Sequence, residues 1–106
     1  MPKRTTPGFI GRKILILTCL AHGPLHGYAL IQEIERVSGL RVGPGTLYGL
    51  LNELSNDGLI EELPTEDRRS PFRLTGAGRA LLQTELDRAE QLIAIGRSNL
   101  TLGGRA

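Results

Sequence analysis

Apolar residues recur every three or four positions over several stretches of the chain, a period that predicts amphipathic helices. The first predicted helix runs to about His22, where a Gly-Pro pair ends it. The second begins at about His26 and closes at Gly39. The apolar stripes of these two helices consist of Phe9, Ile10, Ile14, Leu17, Leu20 and Ala21 in the first, and of Leu30, Ile31, Ile34 and Val37 in the second.

A third helix is predicted after the turn at 40–43. Pro44 suits its first position, where the N–H that proline lacks would be unsatisfied anyway. Two short strands are predicted at 59–63 and 72–74, joined by the polar, turn-forming segment 64–71. Two helices joined by a tight turn and followed by a hairpin predict a winged helix-turn-helix, a mainly α (α+β) fold. The third helix has one row of leucines, formed by Leu47, Leu50, Leu51 and Leu54, and Gly58 ends it.

The last predicted helix begins near Gly78, is capped by Thr75 and runs to about Leu100. Its apolar residues fall at alternating steps of four and three, a spacing typical of a coiled-coil seam. A body of this size cannot bury both sides of so apolar a helix, so the seam is expected to pair with a second copy of the chain. Packing against its own domain is the alternative. The expected dimer interface consists of Ile10, Leu17, Leu20, Leu82, Leu86, Ala89, Ile93, Gly96 and Leu100.

These elements divide the chain into a flexible basic arm (1–8), a winged helix-turn-helix domain (9–76), a dimerisation helix (77–100) and a flexible tail (101–106). Of the 106 residues, 40% are hydrophobic, but only four are aromatic and none is Trp. The core of one copy would be thin, which also favours a partner subunit. The net charge of +2 is weak evidence for a polyanionic partner, so the placement of the basic residues matters more than their number.

The single cysteine, Cys19, excludes an internal disulfide and suits a reducing compartment. No signal peptide is evident, and the longest apolar run, 14–21, is too short to cross a bilayer. The expected location is the cytoplasm, with no membrane partner.

The polar face of the third helix is the candidate for reading DNA. Glycines let the helix backbone approach a ligand closely, Asn can pair bidentately with adenine, and hydroxyl groups can reach phosphates or base edges. An ordinary solvated face is the alternative, and the hairpin that follows favours DNA. This helix has acidic residues and no Lys or Arg, so phosphate contacts must come from elsewhere. The residues on this face and its flanks are Gly45, Thr46, Tyr48, Gly49, Asn52 and Asn56.

Basic residues near this helix are the expected source of phosphate contacts. Arg68 and Arg69 lie at the hairpin tip, Arg73 lies on its return strand, and Arg41 stands just before the third helix. Two arginines at a loop tip are often merely solvated, but a basic hairpin directly after a helix-turn-helix is typical of a wing. The patch could be extended by Lys3, Arg4, Arg12 and Lys13.

Several motifs resemble the PadR family of transcriptional regulators, and the resemblance covers about residues 14–82. The motifs are His26-Gly27-Tyr28, Pro44-Gly45-Thr46-Leu47-Tyr48, Gly58-Leu59-Ile60, and Arg73-Leu74-Thr75 with Gly78. The resemblance implies a homodimeric, usually repressing protein that binds double-stranded operator DNA and dimerises through its last helix. It assigns DNA contacts to Gly45, Thr46, Tyr48, Arg68 and Arg69. A small-molecule effector that enters between the helices of the dimer would change the spacing of the reading helices.

The chain departs from the family pattern at three places. Gly49 replaces a frequent Pro, Asn52 and Glu53 stand where basic residues are common, and Pro71 interrupts a wing strand that usually carries basic and aromatic residues. Multidrug-sensing relatives use a Trp in a central pocket, and this chain has none.

Other functions have less support in the sequence. Cys19, His22 and His26 have the chemistry of zinc ligands, but the Gly-Pro break redirects the chain before His26, and structural roles are favoured. No metal and no cofactor are expected. No nucleophile–base set is apparent, so an enzyme is not expected. The alternative function is a winged-helix module that binds protein, which the acidic residues of the third helix would favour.

Overall fold

Seven elements make up the part of the chain that the computed structural model describes, residues 11–65 and 67–104. Helices make up most of the fold, and a small sheet completes it. The predicted fold class, a mainly α winged helix-turn-helix with a long last helix, is confirmed. The elements are α1 (Arg12–Leu20), β1 (Leu25–His26), α2 (Gly27–Ser38), α3 (Pro44–Asn56), β2 (Ile60–Glu62), β3 (Pro71–Leu74) and α4 (Gly76–Gly103).

Side-chain caps and a glycine define both ends of α2 and the start of α4. Nδ1 of His26 accepts a long hydrogen bond, 3.4 Å, from the Ala29 N–H at the start of α2. Gly39 ends α2 in the left-handed region, with φ 75°, where a glycine avoids the penalty of a Cβ atom. Thr75 caps α4 as predicted, since its Oγ1 accepts a 3.0 Å hydrogen bond from the Gly78 N–H.

The ends of the chain differ from the sequence prediction. α4 is longer than predicted and extends to Gly103, so residues 101–103 are helical and do not form a frayed tail. The predicted flexible arm, together with Phe9 and Ile10, lies outside the described residues, as do 105 and 106.

The three strands form one antiparallel sheet in the order β1-β3-β2. β2 and β3 are the arms of the predicted hairpin, and β1 adds a third strand that was not predicted. Pro71 does not interrupt its strand, because it is the first residue of β3 and its carbonyl accepts a 2.8 Å hydrogen bond from the Leu63 N–H. A strand start is one of the few sheet positions where the missing N–H of proline does little harm.

The core lies where α1, α2 and α3 meet the sheet. The largest side chains that are fully buried are Ile16, Leu17, Leu20, Leu30, Ile34, Leu47, Leu51, Leu54 and Ile60. Val37 was predicted to be buried and is 45% exposed, while Leu40 and Val42 from the turn before α3 are buried instead. The buried part of the apolar stripe of α2 therefore ends at Ile34, one turn before the helix ends.

Gly78 lets the first turn of α4 pack directly on the chain between α3 and β2. A Cβ atom at Gly78 would overlap the carbonyl oxygen of Leu59. The Thr75 hydroxyl strengthens this junction by donating a 2.6 Å hydrogen bond to the Gly58 carbonyl. The direction in which α4 leaves the domain is thus set by contacts at its first turn together with its packing on α1, where Leu82 is buried. No helix in the described ranges is long and apolar enough to span a membrane.

Candidate nucleic-acid interface

Burial of Leu47, Leu51 and Leu54 turns the opposite face of α3 to solvent. That face carries Gly45 and Gly49, and a Cβ atom added at either glycine would meet nothing within 4 Å. Asn52, Asn56 and Thr46 are also exposed. The structure therefore presents the predicted reading residues on one open, shallow helix face that another backbone can approach closely.

Tyr48 forms the edge of this face and also holds the fold together. Its ring meets the ring of Phe72 edge-on, with centroids 6.4 Å apart and an interplanar angle of 64°. Its hydroxyl lies over Gly27, where a Cβ atom would collide with it. The ring is still half exposed. Tyr48 therefore fixes α3 against the start of α2 and against β3, a role that the sequence did not reveal.

The wing is the segment 63–70 between β2 and β3, and its described residues, 63–65 and 67–70, fold back towards the start of α2. Thr65 and Ser70 join its two sides through a 2.7 Å hydrogen bond between their hydroxyl oxygens. Asp67 and Arg68 have positive φ angles of 49° and 65°, as a tight tip requires. Nη1 of Arg69 lies 3.1 Å from Nε2 of His26. The tip arginines are thereby brought close to α2 and α3.

His26 cannot accept hydrogen bonds from both of its neighbours, Ala29 and Arg69, at once. A neutral imidazole has one acceptor nitrogen, yet the Ala29 N–H points at Nδ1 and the Arg69 guanidinium points at Nε2. Both partners are donors, so the helix cap needs a lone pair on Nδ1 and the wing contact needs one on Nε2, and a neutral ring supplies only one of them. Arg69 donates to His26 only in the tautomer that leaves Nε2 unprotonated.

A shallow hollow of about 390 Å³ lies between α2, α3 and the wing, and Tyr48 forms part of its wall together with Arg68, Arg69 and Glu62. A second hollow of about 270 Å³ continues along α3 past Tyr48 and Asn52. Four of the predicted DNA-binding residues thus share one continuous surface. Glu62 lines both hollows and was missed by the sequence analysis, because an acidic residue in a short strand gives no sign of the helix beside it.

The two other basic residues that were predicted to contact DNA form ion pairs with carboxylates. Nε of Arg41 lies 3.2 Å from Glu35, and Nε of Arg73 lies 2.6 Å from Glu61. Alternation along β3 places Arg73 on the opposite side of the sheet from Phe72. Because Phe72 faces Tyr48, Arg73 points away from α3, and the structure does not bring it to the surface that the other residues share.

The acidic residue of α3 closest to the open face is also paired. Nζ of Lys13 in α1 lies 2.8 Å from Glu53, and this carboxylate raises the pKa of Lys13. The pair is exposed and contributes little to stability. It does, however, offset the negative charge of Glu53 on the flank of α3.

The expected dimer residues divide into two groups. Leu17 and Leu20 are fully buried in the core of this chain and Leu82 is 5% exposed, so these three have no side-chain surface left for a second copy. Leu86, Ile93 and Leu100 are exposed by 44%, 44% and 77% along α4, with Ala89 and Gly96 partly exposed between them. Ile10 lies outside the described residues. Among the described residues of the predicted interface, those that remain exposed therefore lie on the outer part of α4.

Cys19 is unsuited to metal binding because its thiol is buried in α1. Loss of hydration raises its pKa to about 11, so the thiol stays protonated at neutral pH. Within the described ranges, no cluster of three or more His, Cys, Asp or Glu side chains is placed to hold a metal ion.

The family of the chain follows from its comparison with known proteins. The model of the Transcriptional regulator PadR-like family matches residues 16–84. The chain belongs to the PadR-like family. The members of this family are transcriptional regulators and not enzymes.

The chain is also similar to two curated proteins, and a solved structure shares its fold. The transcriptional regulator Rv3488 of Mycobacterium tuberculosis is 41% identical over 83 residues, which are 76% of this chain and 77% of that protein. An uncharacterized 37.1 kDa protein in transposon TN4556 of Streptomyces fradiae is 52% identical over 73 residues, 69% of this chain. The match spans only 21% of the transposon protein. A PadR family transcription regulator from Clostridium difficile has the same fold, with a TM-score of 0.75 at 20% identity over 83% of this chain and 96% of that one.

Proposed function

We propose that this PadR-like chain binds operator DNA sequence-specifically as a homodimer and represses transcription. One observation supports DNA binding above the others: the arginines of the wing and Asn52 of α3 line two neighbouring hollows that share Tyr48, Glu62 and Phe72. A helix that reads bases beside a hairpin that grips phosphate is how a winged helix-turn-helix docks on a duplex.

In this proposal α3 enters the major groove. Gly45 and Gly49 allow its backbone to approach the bases, and Asn52 reads an adenine edge through its amide. Arg68 and Arg69 neutralise phosphates next to the groove, which supplies affinity without sequence information. Arg73 is not part of the proposed contact, because Glu61 holds it on the other side of the sheet.

The homodimer is proposed to form through α4, after a DNA-binding unit that ends near Thr75. Leu86, Ile93 and Leu100 are exposed on one side of a helix that leaves the domain after its first turns. A second copy can cover them, and small Ala89 and Gly96 allow a close approach. A twofold axis would then set two copies of α3 on half-sites about one helical turn apart.

Repression and effector control complete the proposal. A dimer bound across a promoter occludes it, and the resemblance to the PadR family implies a protein that usually represses. A small molecule that separates the two copies of α4 would alter the distance between the reading helices. Binding would change without any contact between effector and DNA.

The test begins with selection of duplexes from a random DNA library by the full chain. We expect a twofold-symmetric site that is bound at least about 10³-fold more tightly than random DNA. Enrichment of a single half-site contradicts the dimer, and no enrichment contradicts DNA reading and favours a protein-binding module. A promoter reporter that carries the selected site then separates repression, seen as reduced expression, from activation.

A further inference from the structure

Two adjacent glutamates of β2 have opposite surroundings. Glu61 pairs with Arg73 across the sheet, and their side chains form a 2.6 Å ion pair. Glu62 pairs with Phe72, whose ring contacts Tyr48 of α3. Because side chains alternate along a strand, Glu61 faces away from α3 while Glu62 faces the hollow between α3 and the wing.

Glu62 is an exposed carboxylate without a cationic partner among residues 11–65 and 67–104. Five other glutamates in those ranges are paired, namely Glu33, Glu35, Glu53, Glu61 and Glu85, and Glu90, on α4, is in no ion pair. The side chain of Glu62 lines the hollow that holds Arg68 and Arg69, and also the hollow that holds Asn52. It therefore stands between the reading face of α3 and the tip of the wing.

A duplex that touches both α3 and the wing must pass over this carboxylate. A phosphate in that position is repelled, and the repulsion is strongest when the protein binds through the DNA backbone alone. A base edge behaves differently, because the amino group of cytosine donates hydrogen bonds to carboxylates in the major groove. The same side chain thus disfavours one mode of binding and favours the other.

We propose that Glu62 is a specificity-determining residue, an inference that rests on the DNA-binding function proposed above. Its carboxylate weakens binding to arbitrary DNA, and a cytosine amino group in the correct site offsets that loss. Glu62 widens the gap between specific and non-specific affinity without being required for the fold, since its side chain is exposed.

The experiment compares Glu62→Gln with Glu61→Gln, a matched control that makes the same change of charge and shape at the next residue on the other face of the sheet. Fluorescence anisotropy measures the affinity of each full-length variant for the selected site and for random duplex of equal length. Glu62→Gln should tighten binding to random DNA about fivefold at low salt, the equivalent of about 1 kcal/mol for unit charges 4 Å apart in water. The specificity ratio should fall accordingly, and Glu62→Asp should keep it close to that of the wild type.

Three outcomes overturn the proposal. If Glu61→Gln tightens random binding as much as Glu62→Gln, the effect is one of net charge and not of position. If the ratio is unchanged in Glu62→Gln while the wild-type protein prefers its selected site, Glu62 has no part in specificity, although the proposed function stands. A wild-type protein that binds all duplexes equally overturns the proposed function and this inference together.

Discussion

Tyr48 and Gly27 depend on each other, although they lie in separate motifs of the chain. The tyrosine hydroxyl occupies the space that a side chain at position 27 would fill. The sequence pointed to Tyr48 as a DNA contact because of its place in the Pro-Gly-Thr-Leu-Tyr run. Its packing role could not be predicted, since local spacing carries no information about which residue of another helix lies underneath.

A matched pair of glycine substitutions tests this packing role. Gly49→Ala should stabilise the protein by about 0.5–1 kcal/mol, because alanine is the better helix former and its methyl group meets nothing. Gly27→Ala should destabilise it by about 1–3 kcal/mol by displacing the Tyr48 ring. Urea denaturation measures both. If Gly49→Ala also weakens DNA binding while raising stability, close backbone approach at this position is supported; equal stability changes in the two variants would contradict the contact.

Asn52 should carry sequence information. Asn52→Ala should cost about 1–3 kcal/mol on the selected site if the amide makes a bidentate contact with adenine, and little on random DNA. Asn99→Ala, which removes an exposed amide from α4 far from the reading face, is the control. Anisotropy titrations with both duplexes decide the matter: equal losses on the two DNAs would reassign Asn52 to the backbone, and no loss on either would remove it from the interface.

Among the elements, the wing should supply affinity with little sequence preference. Arg68→Ala combined with Arg69→Ala should weaken binding to the selected site and to random DNA alike. The salt dependence should become shallower by about 0.9 in log–log slope for each phosphate that the wing no longer neutralises. The control is Arg36→Ala combined with Arg73→Ala, which removes the same charge from arginines that glutamates already hold. An unchanged slope in the wing variant, or equal changes in the two pairs, would argue against binding of phosphate by the wing.

The elements differ in how far the sequence predicts them. The helices were predicted well because each has a long apolar period and an end signal, such as Gly39 or Thr75. β1 was missed because Leu25 and His26 are too few to show alternation, and it exists only through pairing with β3.

The dimer prediction shows a second limit of sequence patterns. A period identifies which face of a helix is apolar, but not what covers that face. Leu17 and Leu20 were assigned to a partner and are buried within their own chain. The outer residues of α4 continue the same kind of pattern but are exposed. Only the folded structure therefore distinguishes an apolar face that is buried in its own chain from one that is left exposed.

At the scale of the whole molecule, α4 makes the protein elongated, with extents of 60 × 33 × 21 Å. Its outer apolar residues have no cover within the described chain, and the proposed dimer gives them one. Leu86→Asp combined with Ile93→Asp would bury unpaired charge in that interface, which is strongly unfavourable. We expect monomers or aggregates by light scattering, with loss of binding to the selected site.

The matched control places the same two charges on the other side of α4, as Thr84→Asp combined with Gln91→Asp. This variant should remain dimeric and bind DNA, because a helix turns these positions away from Leu86 and Ile93. A wild-type protein that is monomeric at micromolar concentration while it binds its site tightly would rule out this assembly.

The contact between Gly78 and the carbonyl of Leu59 lies at the start of α4, so a small change of angle there becomes a large displacement at the other end of the helix. α4 continues for about 40 Å beyond it at 1.5 Å per residue. A change of about 5° in the angle at the glycine would therefore move the far end of the helix by roughly 3.5 Å, the rise of one base pair. In the proposed dimer, the close approach that Gly78 allows at this junction would act with the packing of α4 on α1 to determine the distance between the two reading helices, and so the length of DNA between the half-sites.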